Sequence, residues 1–136
     1  SLVLPSGQAP LTLQFFHRRD IEDNNGSACW DAGILEFSTD GGSNWTQVAD
    51  GDLLTDPYTG NVSGTTNPLA GQPGWCDVQD WTRSVVDIDA LAGQTAQFRF
   101  RLGSDGSVGG DGWYVDDFKI QSCTDSNLIF DDGFEQ

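Results

Sequence analysis

Several short stretches of this chain alternate apolar and polar residues, and glycines and aspartates interrupt each one within a few positions. Leu11, Leu13 and Phe15 fall on one side of the stretch from Leu11 to His17. In the stretch from Thr95 to Leu102, Phe98, Phe100 and Leu102 fall on one side, with Arg99 and Arg101 on the other. A period of two sends successive side chains to opposite faces, so both stretches predict half-buried antiparallel strands. No 3.6-residue period is sustained, which excludes a helical bundle. The 17 glycines, eight phenylalanines and five tryptophans, with no methionine, suit strands joined by many tight turns.

Further strands are expected from Gly33 to Ser38 and from Trp45 to Val48, with Asp40-Gly41-Gly42-Ser43-Asn44 as the hairpin turn between them. Others are expected from Arg83 to Ile88 and from Trp113 to Ile120. The polar run from Arg18 to Ser27 reads as the break after the first strand. From Gly51 to Gln79 no period persists, and the segment reads as a long surface excursion. Such strands pair their apolar faces in an all-β antiparallel β-sandwich. One domain is expected over residues 1–124, with residues 125–136 as a tail or linker.

The formal charge of −15 argues against nucleic acid and anionic membrane surfaces as partners, because both require the opposite sign. No apolar run approaches the roughly 20 residues of a membrane span, so membrane insertion is not expected. The opening residues lack the pattern of a signal peptide, and the chain reads as an excised or processed piece. Three cysteines, Cys29, Cys76 and Cys123, fit no zinc spacing. Cys29 and Cys76 each stand beside a tryptophan in polar surroundings, and they form the favoured disulfide. Three reduced thiols are the alternative. A disulfide implies an oxidising, secreted setting.

Four segments occur in a telling order: Asp31 to Trp45 with its Asp40-Gly41-Gly42 turn, Leu91 to Gln94, Phe98 to Arg101, and Gly112-Trp113-Tyr114-Val115-Asp116-Asp117-Phe118. That order resembles the jelly-roll accessory domains of bacterial secreted proteases, related in shape to MAM and cleaved-adhesin domains. The resemblance spans about Leu11 to Ile120. It implies a jelly-roll-type β-sandwich, frequently carrying structural calcium, attached to a parent catalytic domain. The stretch Ser38 to Trp45 also looks like the Asp-box hairpin of sialidase propellers, but a single box in a chain of this length excludes a set of blades.

Calcium takes six to eight oxygen ligands, and clustered carboxylates that would otherwise repel one another supply them. Asp20, Glu22 and Asp31 follow the first strand, while Asp105 and Asp111 lie in a glycine-rich loop that leads to Asp116 and Asp117. These seven are the candidate ligands. Asp116 and Asp117 point to opposite faces of their strand, so one of them needs a metal or an arginine, with Arg99 and Arg101 as the competing partners.

Trp30, Tyr58, Trp75 and Trp81 lie in or near loops and form a candidate aromatic platform for a polysaccharide or a protein surface ligand. Burial at the ends of the core is the competing reading. Catalysis is not expected. His17 is the only histidine and no elbow motif surrounds any serine, while the abundance of aspartates makes a paired-carboxylate glycosidase a weak reading. The expectation is a noncatalytic, calcium-stabilised accessory or binding domain. A purely structural, adhesin-type interaction domain is the alternative.

Overall fold

The computed structural model describes residues 1–122. The expected tail at 125–136 and Cys123 lie outside the described residues. Among those described, the strands in chain order are β1 (Leu2–Val3), β2 (Leu11–Ile21), β3 (Asp23–Asn24), β4 (Ala28–Cys29), β5 (Ala32–Ser38), β6 (Thr46–Gln47), β7 (Gly60–Val62), β8 (Pro73–Gly74), β9 (Asp77–Asp87), β10 (Thr95–Gly103) and β11 (Gly112–Ser122). One sheet is ordered β1-β10-β5-β6 and another β11-β2-β9, and every pairing within them is antiparallel. A small sheet, β3-β4-β7-β8, contains one parallel pairing between β4 and β7. It joins the first sheet through a bridge between Gly33 and Trp75.

The chain is an all-β antiparallel sandwich, and its core forms where the two larger sheets meet. Leu11, Leu13 and Phe15 of β2 and Val86 of β9 are fully buried on one side, and Leu35, which pairs with Phe100, and Ala96 on the other. Burying a large apolar side chain fully contributes about 1.5–3 kcal/mol. Edge-to-face aromatic contacts cross the seam, with Phe100 of β10 4.9 Å from Phe15 and 5.6 Å from Trp113, ring centre to ring centre. On β5 both Ile34 and Leu35 are buried, because the segment ending at Trp75 covers the strand's second face. This explains why β5 reads as a continuous apolar run instead of an alternation.

β2 corrects the break expected at Arg18. It continues to Ile21, and its odd positions stay buried throughout: Leu11, Leu13, Phe15, His17, Arg19 and Ile21. Arg19 occupies a core position while carrying a charge, so the apolar period vanishes from the sequence although the strand persists. β9 likewise starts at Asp77, well before Arg83, and β7 and β8 lie within the stretch expected to be irregular. These segments pair through backbone and carry few apolar side chains. Leu102, expected on the core face, is half exposed beside Gly103 at the end of β10.

The expected hairpin joins β5 to β6. Ser38 Oγ donates to Asp40 Oδ1 at 2.8 Å, while the Asn44 backbone N–H and side-chain amide donate to the two Asp40 oxygens at 2.9 and 2.7 Å. These bonds favour the ionised carboxylate and hold its pKa down at about 2. Trp45 closes the turn by donating from Nε1 to the Gly42 carbonyl, and Arg99 lies 4.2 Å over its ring.

Gly33 is required by close packing. A Cβ there would stand 2.7 Å from the Trp113 ring, which is itself tied to His17. Gly33→Ala should therefore destabilise the protein by about 1–3 kcal/mol through overpacking. Urea unfolding with an unchanged m-value would measure this, and a loss below about 0.5 kcal/mol would show that the ring moves freely.

Candidate functional site

β2, the turn after β4 and the loop between β10 and β11 end at the same edge of the sandwich, and each delivers a carboxylate there. Glu22 follows β2, Asp31 precedes β5, and Asp105 lies in the loop before β11. One oxygen from each lies within 4.8 Å of the others. The backbone fixes two of these arms, since the N–H groups of Trp30 and Asp31 both donate to the Glu22 carbonyl at 3.1 Å. The Asp105 N–H donates to Asp31 Oδ1 at 3.0 Å. Desolvation first, and then the charges of Asp31, Asp105 and Asp23, raise the Glu22 pKa above its ordinary value.

The other expected ligands are distributed differently. Asp20 pairs with Gly112 at the same end of the sandwich, and Gly110 packs so closely on the Asp20 carbonyl that a side chain there would clash with it. Asp111 is exposed beside Gly112 and lies outside the three-carboxylate cluster. Asp116 and Asp117 are also outside it. Asp116 stands opposite Phe16, four residues along β2 from Asp20, which is about 13 Å of strand. Both carboxylates are exposed at a bulge, where pairing with β2 is interrupted between Asp116 and Lys119. Their expected alternative partners are engaged elsewhere: Arg99 Nε donates to Glu36 Oε1 at 2.6 Å, and Arg101 lies 3.7 Å from the same buried carboxylate.

A polar network that the sequence hides lies inside the sandwich. Arg19, 2% exposed, donates from Nε to Asp77 Oδ1 at 2.6 Å, and from its two terminal nitrogens to both oxygens of Asp56 at 2.9 and 3.2 Å. The Trp113 indole can only donate, so His17 Nδ1 accepts from it at 2.9 Å. The neutral imidazole then carries its proton on Nε2 and donates to Asp56 Oδ2 at 2.6 Å. Burial by itself would raise the Asp56 pKa, but the hydrogen bonds from His17 and Arg19, with the Arg19 charge, hold it down at about 2.

Ser84 completes this group, its Oγ donating to Asp56 Oδ2 at 3.1 Å and lying 3.1 Å from His17 Nε2. The residue types are those of a serine hydrolase, but the arrangement is different. Serine and aspartate address the same imidazole nitrogen, a tryptophan takes the other, and both Ser84 and His17 are fully buried. The group is a packed structural network.

The expected aromatic platform does not assemble. Trp75 is fully buried against Phe15, His17 and Tyr58, and donates from Nε1 to the Asp56 carbonyl. Tyr58 is buried too, with its hydroxyl donating to the Val48 carbonyl, and burial raises its pKa to about 12. Their long segment folds back over the end of the core instead of standing in solvent. Trp30, beside the carboxylate cluster, and Trp81, on β9, remain partly exposed. Cys29 and Cys76 form a disulfide spanning 47 residues of sequence.

With this geometry the chain can be set beside known proteins. No protein-family model matches it, and no solved structure matches it. It is 31% identical over 121 residues to Bacillopeptidase F of Bacillus subtilis (strain 168), a match covering 86% of this chain and 6% of that protein. It is also 34% identical over 77 residues to the Pre-pro-metalloprotease PrtV of two Vibrio cholerae serotype O1 strains, covering 56% of this chain and 7% of those proteins. The chain matches a small segment of larger proteases. It spans 6–7% of the length of these curated relatives. Among the described residues no helix is long and apolar enough to cross a membrane.

Asp56 and Asp77 are the important residues that sequence reasoning missed. Both lie in the stretch read as irregular, and both adopt positive φ, 55° and 98°. A faint signal existed in Arg19 itself, which occupies the fifth position of an otherwise buried alternating series.

Proposed function

We propose that this chain is a noncatalytic, calcium-stabilised accessory domain of a secreted bacterial protease. In this reading residues 1–124 form one domain, and residues 125–136 form a tail or linker. The parent catalytic domain is its covalent partner, and its surface contacts polysaccharide or protein substrate. The convergence of Glu22, Asp31 and Asp105 from three separate segments carries the reading. The donor set is entirely oxygen, as a hard cation requires; desolvation and then the charges of Asp31, Asp105 and Asp23 raise the Glu22 pKa, and a divalent ion would neutralise those charges. Asp20 stands close enough in the fold to be tested as a further ligand. The match to small parts of two kinds of protease supports an appended module, and the disulfide supports an oxidising compartment.

A thermal melt in calcium, in magnesium and in excess chelator tests this proposal. A ligand bound only by the folded state stabilises it by about 2.7 kcal/mol at a hundred times its Kd. The expected result is a calcium-specific rise in Tm that Glu22→Gln and Asp31→Asn each abolish and that Asp116→Asn preserves. Equal melts in calcium and chelator, in a verified metal-free sample, would overturn the calcium reading.

A further inference from the structure

We propose that the outer face of the β11-β2-β9 sheet is a binding site for a neutral oligosaccharide. The proposal deepens the reading of a domain that contacts polysaccharide, but it does not depend on any ion. Two adjoining clefts lie on this face. One, of about 270 Å³, is lined by Phe16, Trp81, Asp116 and Asp117. The other, of about 360 Å³, is lined by Gln14, Phe16, Asp117, Phe118 and Lys119. Phe16 and Asp117 belong to both, so the clefts form one elongated depression.

Three observations point to a ligand. Trp81 is half exposed in the stretch where β9 slips its register against β2, and with Phe16 it offers flat apolar surface to solvent. Asp117 adopts φ of 54° within the bulge of β11, a conformation that costs a non-glycine residue energy and that bulges use to re-aim side chains. Its N–H donates to Asp116 Oδ1 at 2.8 Å, which orients the neighbouring carboxylate.

The chemistry of the surroundings selects the ligand class. β2 is the central strand, hydrogen-bonded to β9 on one side and to β11 on the other, so an incoming peptide cannot extend the sheet there. Recognition must come from side chains. Arg83, Phe16 and Asp116 stand opposite one another across the three strands, and Lys119 adjoins Asp117. Charges of both signs therefore flank the aromatic surface, which suits neither a polycation nor a polyanion. They suit vicinal hydroxyl groups, which both donate and accept, while the apolar face of a pyranose ring stacks on Trp81.

The test is titration of the full 136-residue chain with cellohexaose, chitohexaose, xylohexaose and maltohexaose, followed by calorimetry and tryptophan fluorescence, with hexalysine and hexagalacturonate as charged comparisons. Saturable binding of at least one neutral oligomer is expected. Trp81→Ala and Asp117→Asn should each weaken it about ten-fold or more, and Trp30→Ala and Leu54→Ala, at exposed apolar positions outside the cleft, should leave it unchanged. Thermal melts of each variant verify folding, and Asp117→Asn keeps the test open should Trp81→Ala fail to fold. The site is overturned if no neutral oligomer binds the folded protein, if only a charged oligomer binds, or if binding survives both substitutions in the cleft. Equal melts of the unsubstituted protein in calcium and in chelator, with oligosaccharide binding intact, would overturn the calcium reading alone.

Discussion

Asp56→Asn should destabilise the protein by about 3 kcal/mol, measured by urea unfolding at neutral pH. Removing one partner of a buried ion pair costs about 3–5 kcal/mol because the other charge stays buried without compensation. The lower end applies because Asp77 still accepts from Arg19 Nε. Asparagine tolerates the positive φ of this position, so the loss reports the missing charge and not backbone strain. The same carboxylate carries a pH signature. Its pKa is depressed in the folded state from 3.8 to about 2, so its contribution is complete above pH 4 and is lost as the pH falls towards 2. The contribution is about 2 kcal/mol. The asparagine variant should lack this component of acid destabilisation. A variant as stable as the parent at pH 7, with the same acid profile, would show that Arg19 is adequately held by Asp77 alone.

Replacing both Cys29 and Cys76 by serine should cost about 4 kcal/mol, the chain-entropy value for a loop of this length. The bond ties β4 to the junction of β8 and β9, where Trp75 enters the core and Asp77 meets Arg19. Both cysteines are almost inaccessible, at 0% and 2% exposure. Reductant should therefore act on the native protein slowly, and rapidly once denaturant opens it. The check is thiol titration over time with and without urea, together with the unfolding midpoint of the double variant. An unchanged midpoint would mean that the segment from 58 to 76 is held by packing alone.

The strands that were legible in the sequence share one property: the face they bury is apolar. Leu11 to Phe15, the β5 run and its Asp40 hairpin declare themselves because the hydrophobic pattern and turn chemistry agree. At His17 and Arg19 the buried face is polar, and its compensating charges come from positions 56 and 77, so no local window contains the explanation. The acidic cluster was half legible. Acids near strand ends identify Glu22, Asp31 and Asp105, but which acids converge depends on register. With Gly112 opposite Asp20, Asp116 is carried down the sheet to Phe16. Trp75 and Tyr58 were misplaced for a related reason, because a long segment rich in turn residues can still cover a core.

The alternation along β2 also bears on how this fold finds its pairing. Its odd positions carry Arg19 and His17 inward to waiting partners, and its even positions carry Phe16, Arg18 and Asp20 outward. A strand slipped by one residue would exchange these sets, turning Leu11, Leu13 and Phe15 to solvent, bringing Thr12 and Gln14 to the core face and stranding Arg19 away from Asp56 and Asp77. The apolar positions therefore already oppose the slip strongly. Arg19 adds to this preference, because its bonds to Asp56 and Asp77 form only when position 19 faces inward, and the network thereby reinforces the native register of the central strand.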